Sequence, residues 1–231
     1  MQSLRRLWDA FRNLPCAWML LLQFLLLILS VVSINSLTYR SVIWILGTLV
    51  LLLIARVIRQ TSMFTVIGLT FVSGALIFSF MVLLGVRDPI IQIAAHCFEA
   101  AAYFSAAYGL VRYMFADRYL TKDELFAAAA VFTLITWGFA FLYNACQLYQ
   151  IDSFYKEDIP GLKSWLDLLF LSFSLQSATG LADILPATPL VKTLAMLQMF
   201  CGVMYIALIV TRLIALQYIS HKPKHYRSED E

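Results

Sequence analysis

The sequence predicts an all-α integral membrane protein with six transmembrane helices and, between the fifth and sixth, a shorter re-entrant helix and loop. Three observations carry this. The 231 residues are 61% hydrophobic and only 13% charged, with a mean hydropathy of +0.80, whereas soluble domains carry about 25% charged residues. Long apolar runs recur at near-spanning length, a bilayer core needing about 20 apolar residues per helix. One polar, glycine-bearing stretch, Ser172 to Pro189, is lodged between two apolar runs.

Before the first run, Leu4, Leu7, Trp8 and Phe11 share one helical face and Arg5, Arg6, Asp9 and Arg12 the other. Residues 1–14 therefore read as a basic amphipathic helix lying on an anionic membrane surface. The run after Pro15 suits a span better than a signal-peptide core, and no small-residue cleavage site stands out. The six runs fall at 15–33, 42–58, 63–86, 90–114, 124–149 and 189–217. The first four make an N-terminal membrane region over 15–118, and the remainder forms a second unit over 119–217. The apolar stretch 164–175 is about half the spanning length, which makes it re-entrant. Residues 218–231 form a short tail broken by Pro223, in which His221 and His225 are solvated.

Basic residues orient the chain. With the N-terminus inside, twelve of the 17 lysines and arginines lie in cytoplasmic segments, and only Arg40, Arg87, Lys156, Lys163 and Lys192 lie outside. This places both termini in the cytoplasm, the 150–188 segment outside and the protein in the plasma (inner) membrane as a multi-pass chain.

Catalytic chemistry has no foothold. Cys16, Cys97, Cys146 and Cys201 stand singly in apolar runs, as small core hydrophobes do. No metalloprotease, nucleophile-elbow, Walker or dinucleotide pattern occurs. The expectation is no enzyme, no metal site, no cofactor and no nucleic-acid partner. The fourth run carries one arginine, at its cytoplasmic end, where a voltage sensor needs several at three-residue spacing.

A half-helix, a glycine-bearing loop and a long following helix are the parts of a pore, because irregular backbone at membrane depth is tolerated where it lines water. Carbonyls there can replace a cation's hydration shell, and the C-terminal end of the half-helix, near Leu175 to Ser177, presents negative dipole. The residues from Asp167 to Pro186, "DLLFLSFSLQSATGLADILP", resemble the pore module of the potassium channel superfamily, in its bacterial branch of small channels with extra N-terminal spans. The family stretch D-x-L-Y-F-S-F-x-T-L-T-T-L-G-Y-G-D-I-x-P lies over them without a gap. The resemblance continues through Pro189, Gly202, Tyr205 and Arg212 and, more loosely, back over Lys122–Leu148. It implies an outer helix, a pore helix over 164–177, a filter over 178–183 and an inner helix over 189–217, four copies forming a homotetramer in the bilayer.

The filter is where the sequence departs from the family. The positions of T-x-G-Y-G-D fall on Ala178, Thr179, Gly180, Leu181, Ala182 and Asp183. Ala178 lacks the hydroxyl that builds the innermost ion site, although Ser177 and Thr179 still offer theirs. Leu181 cannot make the tyrosine's hydrogen bond. Ala182 stands where the family's glycine is left-handed, at a cost of about 1–2 kcal/mol for a Cβ, so the outer half of the loop is expected to follow a different course. The expected function is a cation channel for monovalent ions, K+ or Na+, with weak or altered selectivity; the rival is a non-conducting membrane sensor or assembly partner on the same fold. Asp183, with Asp152, Glu157, Asp158 and Asp167, would draw cations to the mouth. Gly202 is a candidate gating hinge or a packing contact. His96 and Glu99, one turn apart in an apolar run, are a candidate proton-sensing pair or a mutually satisfied contact between helices.

Overall fold

The structure, a computed structural model, describes residues 15–32, 50, 52, 65–86, 88–116, 122–156 and 161–220. The expected 1–14 helix, nearly all of the expected 42–58 span and residues 221–231 lie outside them. Helices α1 (Pro15–Val32), α2 (Thr65–Leu83), α3 (Pro89–Ala116) and α4 (Lys122–Tyr149) are followed by a 3-10 turn, Ile151–Ser153, and strand β1 (Phe154–Tyr155). Then come α5 (Trp165–Gln176), strand β2 (Leu185–Pro186) and α6 (Pro189–Ser220). Among the described residues, four helices are long and apolar enough to cross a membrane: Val66–Leu83, Pro89–Phe115, Leu125–Tyr149 and Pro189–Arg212. The protein is thus a multi-pass helical membrane protein. At 12 residues, α5 is about 18 Å long, too short to cross about 30 Å of hydrocarbon.

Local sequence sets the ends. Proline opens α1, α3 and α6, where its missing N–H is no loss and its φ suits the first turn. Asp88 caps α3, its carboxylate accepting from the Ile90 N–H at 2.9 Å. The α6 helix runs three residues past the expected 217, since Ala215 to Ser220 contain no helix breaker.

The central element is α4, buried over 61% of its spanning window. It packs on α3, α1, α5 and α6. Its alanines Ala127, Ala128, Ala130 and Ala140 are buried, as are Ala100, Ala102, Ala106 and Ala107 of α3, because small side chains let helix backbones approach. Gln23 of α1 is buried against α4 and accepts from the Thr133 hydroxyl at 2.7 Å. By contrast α6 is buried over only 22% of its window. One stripe, Val191, Ala195, Gln198, Gly202 and Ile209, faces inward, while Met196, Leu197, Phe200, Val203 and Ile206 are exposed.

Candidate functional site

The interruption found in the sequence is a loop, Ser177–Thr188, joining the C-terminus of α5 to α6, and the fold grips it at both ends. At its near end, α5 stops in a Schellman motif. The Ala178 N–H donates to the Leu175 carbonyl at 3.2 Å, and the Thr179 N–H to the Ser174 carbonyl at 3.0 Å. Ala178 holds φ 57, the left-handed position such caps normally give to glycine. Gly180 is also left-handed, at φ 69. Ala182 is not, so the strain expected there sits at Ala178, because α5 ends at Gln176 and its cap needs a positive φ two residues later.

The hydroxyls of Ser177 and Thr179 turn back on the same helix end. Ser177 Oγ donates to the Phe173 carbonyl at 2.7 Å and lies 3.1 Å from Thr179 Oγ1. The carbonyls of Phe173, Ser174 and Leu175 therefore all have donors from the loop. Ser177, Ala178, Thr179, Gly180 and Leu181 are exposed, Leu181 at 71%. After them Ile184 is fully buried, wedged among Tyr143, Phe154, Leu168 and Leu171. Beyond it β2 pairs antiparallel with β1, Phe154 opposite Pro186 and Tyr155 opposite Leu185.

Asp183 is not a free carboxylate. Its Oδ2 accepts from Lys156 Nζ at 2.7 Å, and the same ammonium donates to Asp167 Oδ1 at 2.8 Å. Asp167 also closes a capping box with Ser164 at the N-terminus of α5. One lysine thus ties the start of the half-helix to the far end of the loop. Hydrogen bonds to Asp167 and Asp183 raise the Lys156 pKa. Burial pushes the Asp167 carboxyl up, but hydrogen bonds from Lys156 and Ser164 outweigh it and hold the group below the usual carboxylate range. The expectation of Asp183 as bare negative charge thus changes: the trio carries one net negative charge instead of two.

Behind the loop lies a buried polar network that sequence reasoning missed. Gln198 of α6 accepts from the Tyr143 hydroxyl at 2.7 Å. Its amide nitrogen lies 2.6 Å from Ser172 Oγ, 3.0 Å from the Ser172 carbonyl and 3.4 Å from Gln176 Oε1. Ser172 Oγ donates in turn to the Thr136 carbonyl at 2.6 Å. These side chains join α4, α5 and α6 at the base of the loop. The available signal was Gln198 itself, a lone amide in an apolar run, which must find partners inside protein. One turn further, Gly202 abuts α5: a Cβ there would lie 2.4 Å from the Gln176 carbonyl oxygen. Gly202 thus makes a packing contact with the residue just before the loop.

His96 and Glu99 sit on α3, away from the loop, with His96 Nδ1 2.9 Å from Glu99 Oε2. Asn144 of α4 meets His96 Nε2 at 2.8 Å. No group of three or more histidine, cysteine or acidic residues able to hold a metal occurs among the described residues.

A membrane protein in which a short capped helix and a polar loop are held between two apolar helices has the parts of a potassium channel-like pore module. Residues 125–217, from α4 through most of α6, match the family model described as ion channel. That match supports an ion channel over this part of the chain and does not favour the non-conducting rival. Comparisons with curated proteins and with solved structures returned no match.

Proposed function

We propose that this chain is one quarter of a homotetrameric channel for monovalent cations, K+ or Na+, with weak discrimination between them. The observation that carries the reading is the loop itself: Ser177 to Leu181 and Asp183 are exposed, at the end of a half-helix, in a segment matching ion channels. Exposed apolar residues on α6 supply a face for neighbouring copies and lipid. The loop keeps Gly180 and Asp183 but has no tyrosine, no second glycine and no hydroxyl at Ala178. Selectivity depends on cavity size or on the number and field of coordinating dipoles. A loop braced by Lys156 at its outer end and by Gln198 at its base lacks the family's restraints in between, which supports relaxed selection. The N- and C-termini face the cytoplasm in the plasma membrane, and α5 enters from outside as a re-entrant helix.

Reversal potentials of the purified protein in planar bilayers, under sodium, potassium and calcium gradients, test this. The expected result is current with similar sodium and potassium permeability. Absence of current under every gradient overturns conduction, and sharp rejection of sodium overturns the account of the loop. Orientation is checked with a cysteine at Leu162, which is 51% exposed and should react with an impermeant thiol reagent from outside only; Ser153, in the same segment, is buried and unsuited.

A further inference from the structure

The polar pair inside α3 is not isolated. Ser79 of α2 donates to Glu99 Oε1 at 2.8 Å, and Glu99 Oε2 lies against His96 Nδ1. His96 Nε2 meets Asn144 Nδ2, and Asn144 Oδ1 accepts from Gln147 Nε2 at 2.7 Å. Gln147 then holds the backbone of Lys163: its Oε1 accepts from the Lys163 N–H at 2.9 Å and its Nε2 donates to the Lys163 carbonyl at 3.2 Å. The next residue, Ser164, caps α5 together with Asp167, and Asp167 shares Lys156 with Asp183. An unbroken polar chain therefore runs from the middle of the helical bundle to the outer end of the loop.

We propose that His96 is a proton-binding site whose charge state is passed through Asn144 and Gln147 to the cap of α5, and so to the loop bearing Asp183. This rests on the channel reading and the orientation given above, which put His96 about 10 Å inside the outer end of α3.

The direction of every bond in the chain is fixed from its far end. The Lys163 N–H can only donate, so the Gln147 oxygen must face it and the Gln147 nitrogen must face Asn144. Asn144 then turns its oxygen to Gln147 and its NH2 to His96, so Nε2 must be a bare acceptor. Nδ1 carries the hydrogen, which Glu99 accepts. This is the neutral imidazole in one tautomer. A proton added at Nε2 sets two donors face to face. Turning the Asn144 amide moves the mismatch to Gln147, and turning Gln147 moves it to the Lys163 N–H, which cannot change. One link must open wherever the strain is placed.

Of the other titratable groups among the described residues, Tyr103 on α3 interacts with Glu99, and Cys97 on α3 and Cys146 on α4 interact with each other. α2 offers only the Ser79 hydroxyl, having no ionisable residue. None of these types ordinarily changes charge between pH 5 and 8, whereas imidazole does. The side chains of His96 and Glu99 are 23% and 14% exposed, so neither is sealed within the protein.

Hydrogen exchange by mass spectrometry on the full chain in liposomes tests the proposal, reading peptides that cover residues 161–168 and correcting for intrinsic exchange. From pH 8 to pH 5 protection there should fall about tenfold in the wild type, the worth of one lost hydrogen bond. His96→Gln should abolish the pH step. Asn144→Leu should give low protection at both pH values. Glu99→Gln, which leaves His96 and its Asn144 link in place and removes the other titratable group of the pair, should retain a step. Flat protection in the wild type, a step retained in His96→Gln, or a step lost in Glu99→Gln overturns the proposal. Potassium flux measured in parallel separates the two readings: flux absent at every pH defeats conduction and leaves the exchange result to decide the relay.

Discussion

Replacing Gly202 by alanine tests how tightly α6 is set against the start of the loop. The new Cβ would lie 2.4 Å from the Gln176 carbonyl oxygen and 3.0 Å and 3.1 Å from Gln176 C and Cα. All three are backbone atoms of the last residue of α5, and close C···O approaches settle at about 3.3 Å or more. The helices must therefore part locally by about 1 Å, where Gln198 one turn away is bound to Ser172 and Gln176. Overpacking of this kind costs about 1–3 kcal/mol, and the better helix propensity of alanine returns about 1 kcal/mol. A net loss of about 1 kcal/mol lowers Tm by about 2–4 °C for a chain of this size. Because Gln176 leads directly into Ser177 and Ala178, the potassium-to-sodium permeability ratio should shift as well. Gly74→Ala is the control: its Cβ meets Phe98 at the same 2.4 Å, but that obstacle is a ring that can turn, so its cost should be smaller. The assay is thermal melting of the purified protein followed by reversal potentials. A Gly202→Ala protein that melts at or above the wild type with an unchanged ratio refutes the packing argument. One that melts normally but opens less often points instead to a hinge.

Three further outcomes are expected. Ala178→Gly removes a Cβ from a left-handed residue and should raise Tm by about 2–4 °C, the equivalent of about 1 kcal/mol; no change in melting counts against strain at the cap. Gln198→Leu strands the Tyr143 hydroxyl, Ser172 and Gln176 in a buried site, so chemical denaturation should show a loss of about 2 kcal/mol or more, whereas a neutral result would mean water replaces the amide. Lys156→Met should cost about 1 kcal/mol or less, with a defined pH dependence. The lowered Asp167 contributes above the ordinary carboxylate range of about 4 and is lost as pH falls through its lowered value; the raised Lys156 contributes below about 10.5 and is lost as pH rises beyond it. The difference from wild type should be level between these limits and shrink outside them, and a difference that instead grows at either extreme refutes the clamp.

Of the fold and the site, the parts legible in the sequence are those fixed by neighbours along the chain. Apolar length gave α3, α4 and α6 within a few residues, because a helix satisfies its own backbone and needs only a continuous apolar surface. The short α5 was legible for the same reason: Ser164 and Asp167 stand at capping-box spacing, and polar residues follow Leu175. Gly180 was recognisable as a residue suited to positive φ. The sequence also placed His96 and Glu99 on one face, since three residues make nearly one turn.

Only the tertiary structure decided what those residues touch. Lys156 and Asp183 are separated by the whole of α5 and half of the loop, and nothing in their spacing says that one ammonium binds Asp183 and Asp167 together. The left-handed residue fell at Ala178 and not Ala182, because α5 ends at Gln176, against which Gln198 and Gly202 of α6 pack, and the cap puts its positive φ two residues on. Gln147 and the Lys163 backbone, 16 residues apart in sequence, meet only in the fold. Helices arise from local hydrogen bonds, whereas the positions of polar groups inside a membrane protein follow from which donors and acceptors the packed helices bring within 3 Å of one another, and that is a property of their arrangement in space.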